Sequence, residues 1–160
     1  MRRILLAAAL AVAALTGAGC SGQSAAGPGA APTVSATAPA GTALYAVTSR
    51  TLDHIVIDAQ GFVLYRSDRD SADPTRSACA GQCLQTWLPV PCQGEVRVEG
   101  IDRQLVACFD RPDGRQQLSL AGWPLYGYAG DRMPGDTNGH GQSDEWFAIS
   151  PNGDRAIYVS

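Results

Sequence analysis

Apolar and polar positions in the second half of the chain alternate in short runs, and turn residues separate the runs. His54-Ile55-Val56-Ile57 and Phe62-Val63-Leu64-Tyr65 flank Asp58-Ala59-Gln60-Gly61, which reads as a hairpin. Leu105 to Phe109 and Gln116 to Leu120 flank Arg111-Pro112-Asp113-Gly114, a second hairpin signal. Trp146 to Ile149 and Arg155 to Val159 flank Ser150-Pro151-Asn152-Gly153-Asp154, a third. Glu95 to Val98 and Trp123 to Tyr128 supply further strands, and a brief helix is predicted near Ala80 to Thr86. The pattern predicts an all-β domain from Leu44 to Ser160. Eight or nine short antiparallel strands would form a sandwich or a partly closed barrel.

The pattern also repeats. Gly61-Phe62-Val63-Leu64-Tyr65 followed by Asp70 aligns with Gly122-Trp123-Pro124-Leu125-Tyr126 followed by Asp131, at a constant offset of 61. Trp87 and Trp146 fall in comparable places downstream. The domain is therefore read as two related halves.

The first 43 residues follow different rules. Arg2 and Arg3 precede an apolar run from Ile4 to Leu15, and small residues lead to Cys20. Charged, apolar and small segments in that order are the pattern of a secretory signal, here residues 1–19. Small residues directly before Cys20, with Ser21 and Gly22 after it, resemble a bacterial lipoprotein signal, in which the Cys is diacylated and becomes the mature N-terminus. Gly17 and Gly19 equally suit an ordinary signal peptidase, which would leave the protein secreted. From Ser21 to Ala43, 21 of 23 residues are Ala, Gly, Pro, Ser or Thr and none is charged. Such a segment buries too little apolar surface to offset its ordering entropy, so residues 20–43 read as a lipidated Cys and a disordered linker. As a flexible coil it would span roughly 25 Å.

Charge narrows the partners. Twelve Arg and no Lys stand against 15 Asp and Glu, for a net charge of −3. Mild acidity without a basic run argues against a nucleic-acid partner. No apolar stretch reaches the ~20 residues of a membrane-spanning helix, so a polytopic membrane protein is excluded. The membrane partner would be met through acylated Cys20.

Several of these residues together carry a family resemblance. Tyr126-Gly127-Tyr128-Ala129-Gly130-Asp131 fits a Y-x-(F/W/Y)-x-x-D motif in full, and Tyr65 to Asp70 fits it except at Ser67. Cys79-Ala80-Gly81-Gln82-Cys83, Trp87-Leu88-Pro89, Pro134 to Gly139 and Trp146-Phe147 extend the match. The chain resembles the bacterial secreted-repeat lipoproteins named for that motif, over about residues 52–153. The resemblance implies an exported, lipid-anchored protein and carries no established activity.

With Cys20 set aside, Cys79, Cys83, Cys92 and Cys108 remain, an even number that reads as two disulfides in an exported domain. Three connectivities are open. The family-like CxxxC favours Cys79 with Cys83, leaving Cys92 with Cys108 as an addition outside the family pattern.

Candidate chemistry is sparse. Tyr126 and Tyr128 share one face of a strand and, with Asp131, offer an aromatic platform with a carboxylate for an apolar or cationic ligand. The competing reading is an inter-strand aromatic pair, with Asp131 capping a turn. Asp136, Asn138 and His140 resemble the start of a calcium loop, but the twelfth position is Phe147 rather than Glu. His54, His140 and Met133 lack the spacing of a copper or haem site, and GxSxG and HExxH are absent. No catalytic residue and no cofactor is expected. The reading is an exported, lipid-anchored, non-enzymatic binding or interaction module facing an unknown extracytoplasmic ligand or protein. The alternative is an extracytoplasmic redox or metal-handling protein using Cys79 and Cys83, with His140 or Met133.

Overall fold

Three turns with one hydrogen-bonding pattern organise the chain. Gly61 N donates to Asp58 O, Gly114 N to Arg111 O, and Gly153 N to Ser150 O, each at 2.9–3.0 Å. In each turn the Gly takes a left-handed φ, from +79° to +92°, where other residues are strained. These are the three turns expected from the sequence.

The computed structural model describes residues 41–160; the expected signal peptide, Cys20 and the linker up to residue 40 lie outside them. The strands are β1 (Gly41–Thr48), β2 (His54–Asp58), β3 (Tyr65–Ser67), β4 (Ser71–Ala72), β5 (Thr75–Arg76), β6 (Trp87–Pro89), β7 (Glu95–Glu99), β8 (Val106–Asp110), β9 (Gln116–Leu120), β10 (Trp123–Pro124), β11 (Tyr126–Tyr128) and β12 (Trp146–Ala148). Among the described residues the one α-helix, α1 (Cys83–Thr86), lies at the CxxxC as expected, and a 3₁₀ turn spans Arg103–Leu105. The domain is all-β, arranged in small sheets: β2-β1-β7, β10-β9-β8, β12-β3-β11-β6 and the ribbon β4-β5. No closed barrel forms among the described residues.

Three expectations are corrected. β1 begins at Gly41, so the last three residues expected as linker are strand residues, paired with Glu95–Arg97. That pairing is parallel, whereas every strand was expected to be antiparallel. β7 reaches β1 after a long excursion of the chain rather than a tight hairpin, and a long connection leaves the direction free. Finally, Arg155 to Val159 is not a strand. Arg155 bridges Ile149 while Tyr158 bridges Leu52, two partners on different segments, so no ladder forms.

The two halves are related about the middle of the four-stranded sheet. Tyr65 of β3 sits opposite Tyr126 of β11. Outside them, Trp146 and Ala148 pair with Ser67 and Tyr65, and Trp87 and Pro89 pair with Tyr128 and Tyr126. A rotation that exchanges β3 with β11 therefore exchanges β12 with β6.

The same rotation relates two closed hydrogen-bond rings. Val56 N donates to Ile149 O, Ile149 N to Leu64 O, and Leu64 N back to Val56 O. Leu118 N donates to Val90 O, Val90 N to Leu125 O, and Leu125 N back to Leu118 O. All six residues belong to one aliphatic core cluster. At each ring three segments converge and the chain passes between sheets, which is why β3 starts at Tyr65 rather than Phe62. A second, aromatic cluster holds Tyr65, Trp87, Tyr126 and Trp146.

Candidate functional site

Tyrosine hydroxyls in a core need partners, because an unpaired buried hydroxyl costs about 1–3 kcal/mol. Tyr65 and Tyr126 are both fully buried. Each finds a partner across the repeat boundary. Tyr65 OH donates to Asp131 Oδ2 at 2.7 Å, and the Tyr126 hydroxyl lies against Asp70 while hydrogen-bonding Ser77 Oγ at 2.6 Å. The first half thus lends its Tyr to the Asp of the second, whereas the second half's Tyr126 bonds Ser77 of the first and Asp70 Oδ2 accepts no hydrogen bond from the described residues. The Asp residues tie down the backbone too: Asp131 Oδ1 accepts from Asn138 N at 3.0 Å, and Asp70 Oδ1 from Ala78 N at 2.7 Å.

Burial raises the pKa of both carboxyls, opposed chiefly by the Ala78 amide at Asp70 and by the Tyr65 hydroxyl at Asp131. Burial also raises both phenols, so they stay protonated donors.

Around this exchange the aromatic rings stack. Trp87 and Trp146 are nearly parallel, with centroids 3.8 Å apart and planes within 5°. Tyr126 meets Trp146 edge-on at 5.0 Å, and Tyr128 tilts onto Trp87 at 4.6 Å. Gly139 approaches closely, since a Cβ there would sit 2.8 Å from the Tyr65 ring.

The expected surface platform of Tyr126, Tyr128 and Asp131 is therefore not built as such. Tyr126 is enclosed and Asp131 is only 8% exposed, because both are consumed by contacts across the repeat boundary. Tyr128 remains half-buried at a rim.

The metal candidates are apart in role. Asp136 Oδ2 accepts from Arg132 N and Met133 N, which holds its pKa below the ordinary value and closes its loop. Asn138 gives its amide to Asp131. His140 Nδ1 accepts from Ala148 N at 3.2 Å, and burial lowers its pKa. Among the described residues, no three His, Cys, Asp or Glu side chains gather as a metal-holding group. Cys79 pairs with Cys83 and Cys92 with Cys108, with Cα atoms 5.4 and 5.8 Å apart. Cys79 is buried in the aromatic cluster, whereas Cys108 is exposed.

One open cavity adjoins the exchange, a groove of about 570 Å³ between the Asp58–Phe62 turn, β6 and β11. Phe62, Leu88, Pro89 and Tyr128 wall it, Gly127 forms part of its floor, and Asp58 and Asp131 are its charged residues. Leu88 is 49% exposed and adds to the apolar surface of the groove. Asp58 Oδ1 accepts from Gln60 N and Phe62 N, which fixes the turn at the groove's edge.

A profile described as a secreted repeat of unknown function matches residues 46–91 and again residues 107–150. The chain belongs to this secreted-repeat family. Its two matches begin 61 residues apart, the offset of the echo in the sequence. Membership makes the protein an exported one. No curated protein and no solved structure matches the chain.

The groove residues Phe62, Leu88 and Gly127 of this secreted repeat were not singled out from the sequence. The signal that would have found them is the echo carried one residue further: the position after the repeated Tyr is Arg66 in the first copy and Gly127 in the second.

Proposed function

We propose that this secreted-repeat protein is a lipid-anchored, non-enzymatic binding module at the outer face of the cell membrane, and that it binds through the groove at Phe62, Leu88, Gly127 and Tyr128. The observation that carries this reading is the groove itself. It is apolar and open, while the neighbouring Tyr and Asp residues are engaged with one another. A folded domain keeps a half-exposed Leu beside aromatic rings where burial by a ligand would gain about 25 cal/mol per Å² of apolar surface. The anchor rests on Arg2-Arg3, the apolar run to Leu15 and Cys20, followed by a linker without charge. Two acyl chains on Cys20 would hold the domain stably where one would bind only marginally.

Intact mass of the protein purified from its native membrane tests the anchor. A diacylglyceryl adduct on Cys20, with no thiol alkylated before reduction, is the expected result. An unmodified Cys20, or a chain beginning after it, refutes the anchor. Two alkylatable thiols would favour redox work at Cys79 and Cys83. Chemical-shift mapping with small apolar and cationic probes tests the groove, and silence at Phe62, Leu88 and Gly127 toward all of them refutes it.

A further inference from the structure

The internal rotation carries the groove onto an equivalent surface, each built from both halves, and that second surface is filled. The outer face of the four-stranded sheet presents two equivalent cross-strand pairs, Leu88 opposite Gly127 and Phe147 opposite Arg66. The offset of 61 likewise equates Phe62 with Trp123. In the counterpart, the Arg66 guanidinium lies on the face of Trp123 with its central carbon 3.3 Å from the ring centroid. Its Nη1 donates to Gly153 O at 3.1 Å and its Nη2 to Asp68 Oδ1 at 3.0 Å. Arg66 Nε is buried and has no hydrogen-bond partner among the described residues. In the open groove Gly127 takes the place of Arg66, so among the described residues no equivalent side chain covers Phe62.

We propose that the groove takes the guanidinium of an arginine presented by a partner polypeptide, seated as Arg66 is seated on the equivalent surface. The inference rests on the binding-module reading above and names its ligand. Four observations support it. The chain itself demonstrates the occupant at the equivalent site. The walls are an aromatic face and aliphatic side chains, which suit a planar, weakly hydrated cation on an apolar stem. The charged lining residues are Asp58 and Asp131, with no basic residue among them. Asp131 is occupied by Tyr65 and Asn138, and the equivalent of Asp68 is Ala129, but Asp58 also lines the groove and its Oδ2 accepts no hydrogen bond from the described residues.

The test is titration of the full mature chain, isotopically labelled, with the blocked peptide acetyl-Gly-Arg-Gly-amide. Its citrulline counterpart has nearly the same shape without the charge, and octanol serves as an uncharged apolar probe. The arginine peptide should shift the amides of Phe62, Leu88, Gly127 and Tyr128 saturably. Citrulline should bind roughly tenfold more weakly, the size of a desolvated cation–π contact.

Gly127→Arg should install the internal occupant and abolish the shifts. A Cβ at 127 meets only Leu88 O at 4.0 Å, so the variant has room to fold. Phe62→Leu keeps the apolar volume but removes the ring face, and should weaken arginine while sparing octanol. Equal binding of arginine and citrulline, octanol binding alone, or undiminished arginine binding by Gly127→Arg would overturn the inference and leave the module reading standing. Silence toward every probe would remove both.

Discussion

Replacing Tyr65 by Phe isolates the exchange between repeats, because it deletes one oxygen and leaves the ring packing intact. That oxygen donates to Asp131 Oδ2 at 2.7 Å and accepts from Gly139 N at 3.3 Å. A hydrogen bond to a buried charged group is worth about 1.5–3 kcal/mol, and the stranded Gly139 amide adds about 1 kcal/mol. The expected loss at neutral pH is therefore about 2–4 kcal/mol, or roughly 10 °C in Tm for a domain of this size. The loss must also depend on pH. The Tyr65 hydroxyl lowers the Asp131 pKa against a larger rise from burial. Without it that pKa climbs further, so the folded variant holds its proton to higher pH than the unfolded chain does. A raised folded pKa favours the fold below the unfolded value and costs stability as pH rises through the folded value. The penalty of Tyr65→Phe should thus be largest near pH 7 and shrink toward pH 4. Urea unfolding followed by tryptophan fluorescence at both pH values, in a cycle with Asp131→Asn, measures this. A loss under about 0.5 kcal/mol at both, or additivity of the two substitutions, would refute the argument.

Gly122→Ala should destabilise by more than about 3 kcal/mol, since its Cβ would lie 2.3 Å from Ala72 O at a φ of +82°. Gly127→Ala, with open space and no left-handed φ, should instead be neutral or gain up to about 1 kcal/mol, and paired melts compare the two. Cys92→Ser with Cys108→Ser opens a link of separation 16 and should cost about 3 kcal/mol in chemical denaturation. Trp146→Phe should abolish the exciton couplet of the Trp87–Trp146 stack in circular dichroism, and a spectrum unchanged by it would mean the rings are not stacked in solution.

Local chemistry explains how much of this was legible. The three Gly turns were readable because only Gly takes their backbone without strain, so the demand is written at one position. The all-β class followed from period-2 alternation, and the duplication from an offset preserved through Tyr and Asp. The role of those Tyr and Asp residues was not readable. Tyr65 and Asp70 lie close in sequence and invite a local reading, but Tyr65 bonds Asp131 of the other repeat, 66 residues away. Pairing over such a distance leaves no periodic trace. The parallel β1–β7 pair was hidden for a related reason. Gly41 to Ala43 have the small-residue composition of the linker before them, and it is Glu95–Arg97 that makes them a strand.

The two halves diverge in a pattern that separates packing from use. Positions that face the exchange are alike in both copies: Tyr65 and Tyr126, Asp70 and Asp131, Trp87 and Trp146. Each must fit its counterpart in the other half, so a change in one copy is unsatisfied by the other. Positions on the outer face differ: Arg66 against Gly127, Phe147 against Leu88, Asp68 against Ala129. Around Arg66 these residues satisfy one another across the two copies and the C-terminal segment, with Arg66 and Arg155 both on Asp68 and Arg155 over Phe147. The second copy has neither the arginine nor the acid, with Gly127 and Ala129 at those positions, so no unpaired buried charge is left there. What remains is an apolar wall that none of the described residues covers. The two equivalent surfaces are thus used unequally: one is closed by the Arg66 guanidinium over Trp123, and the other stays an open groove among the described residues.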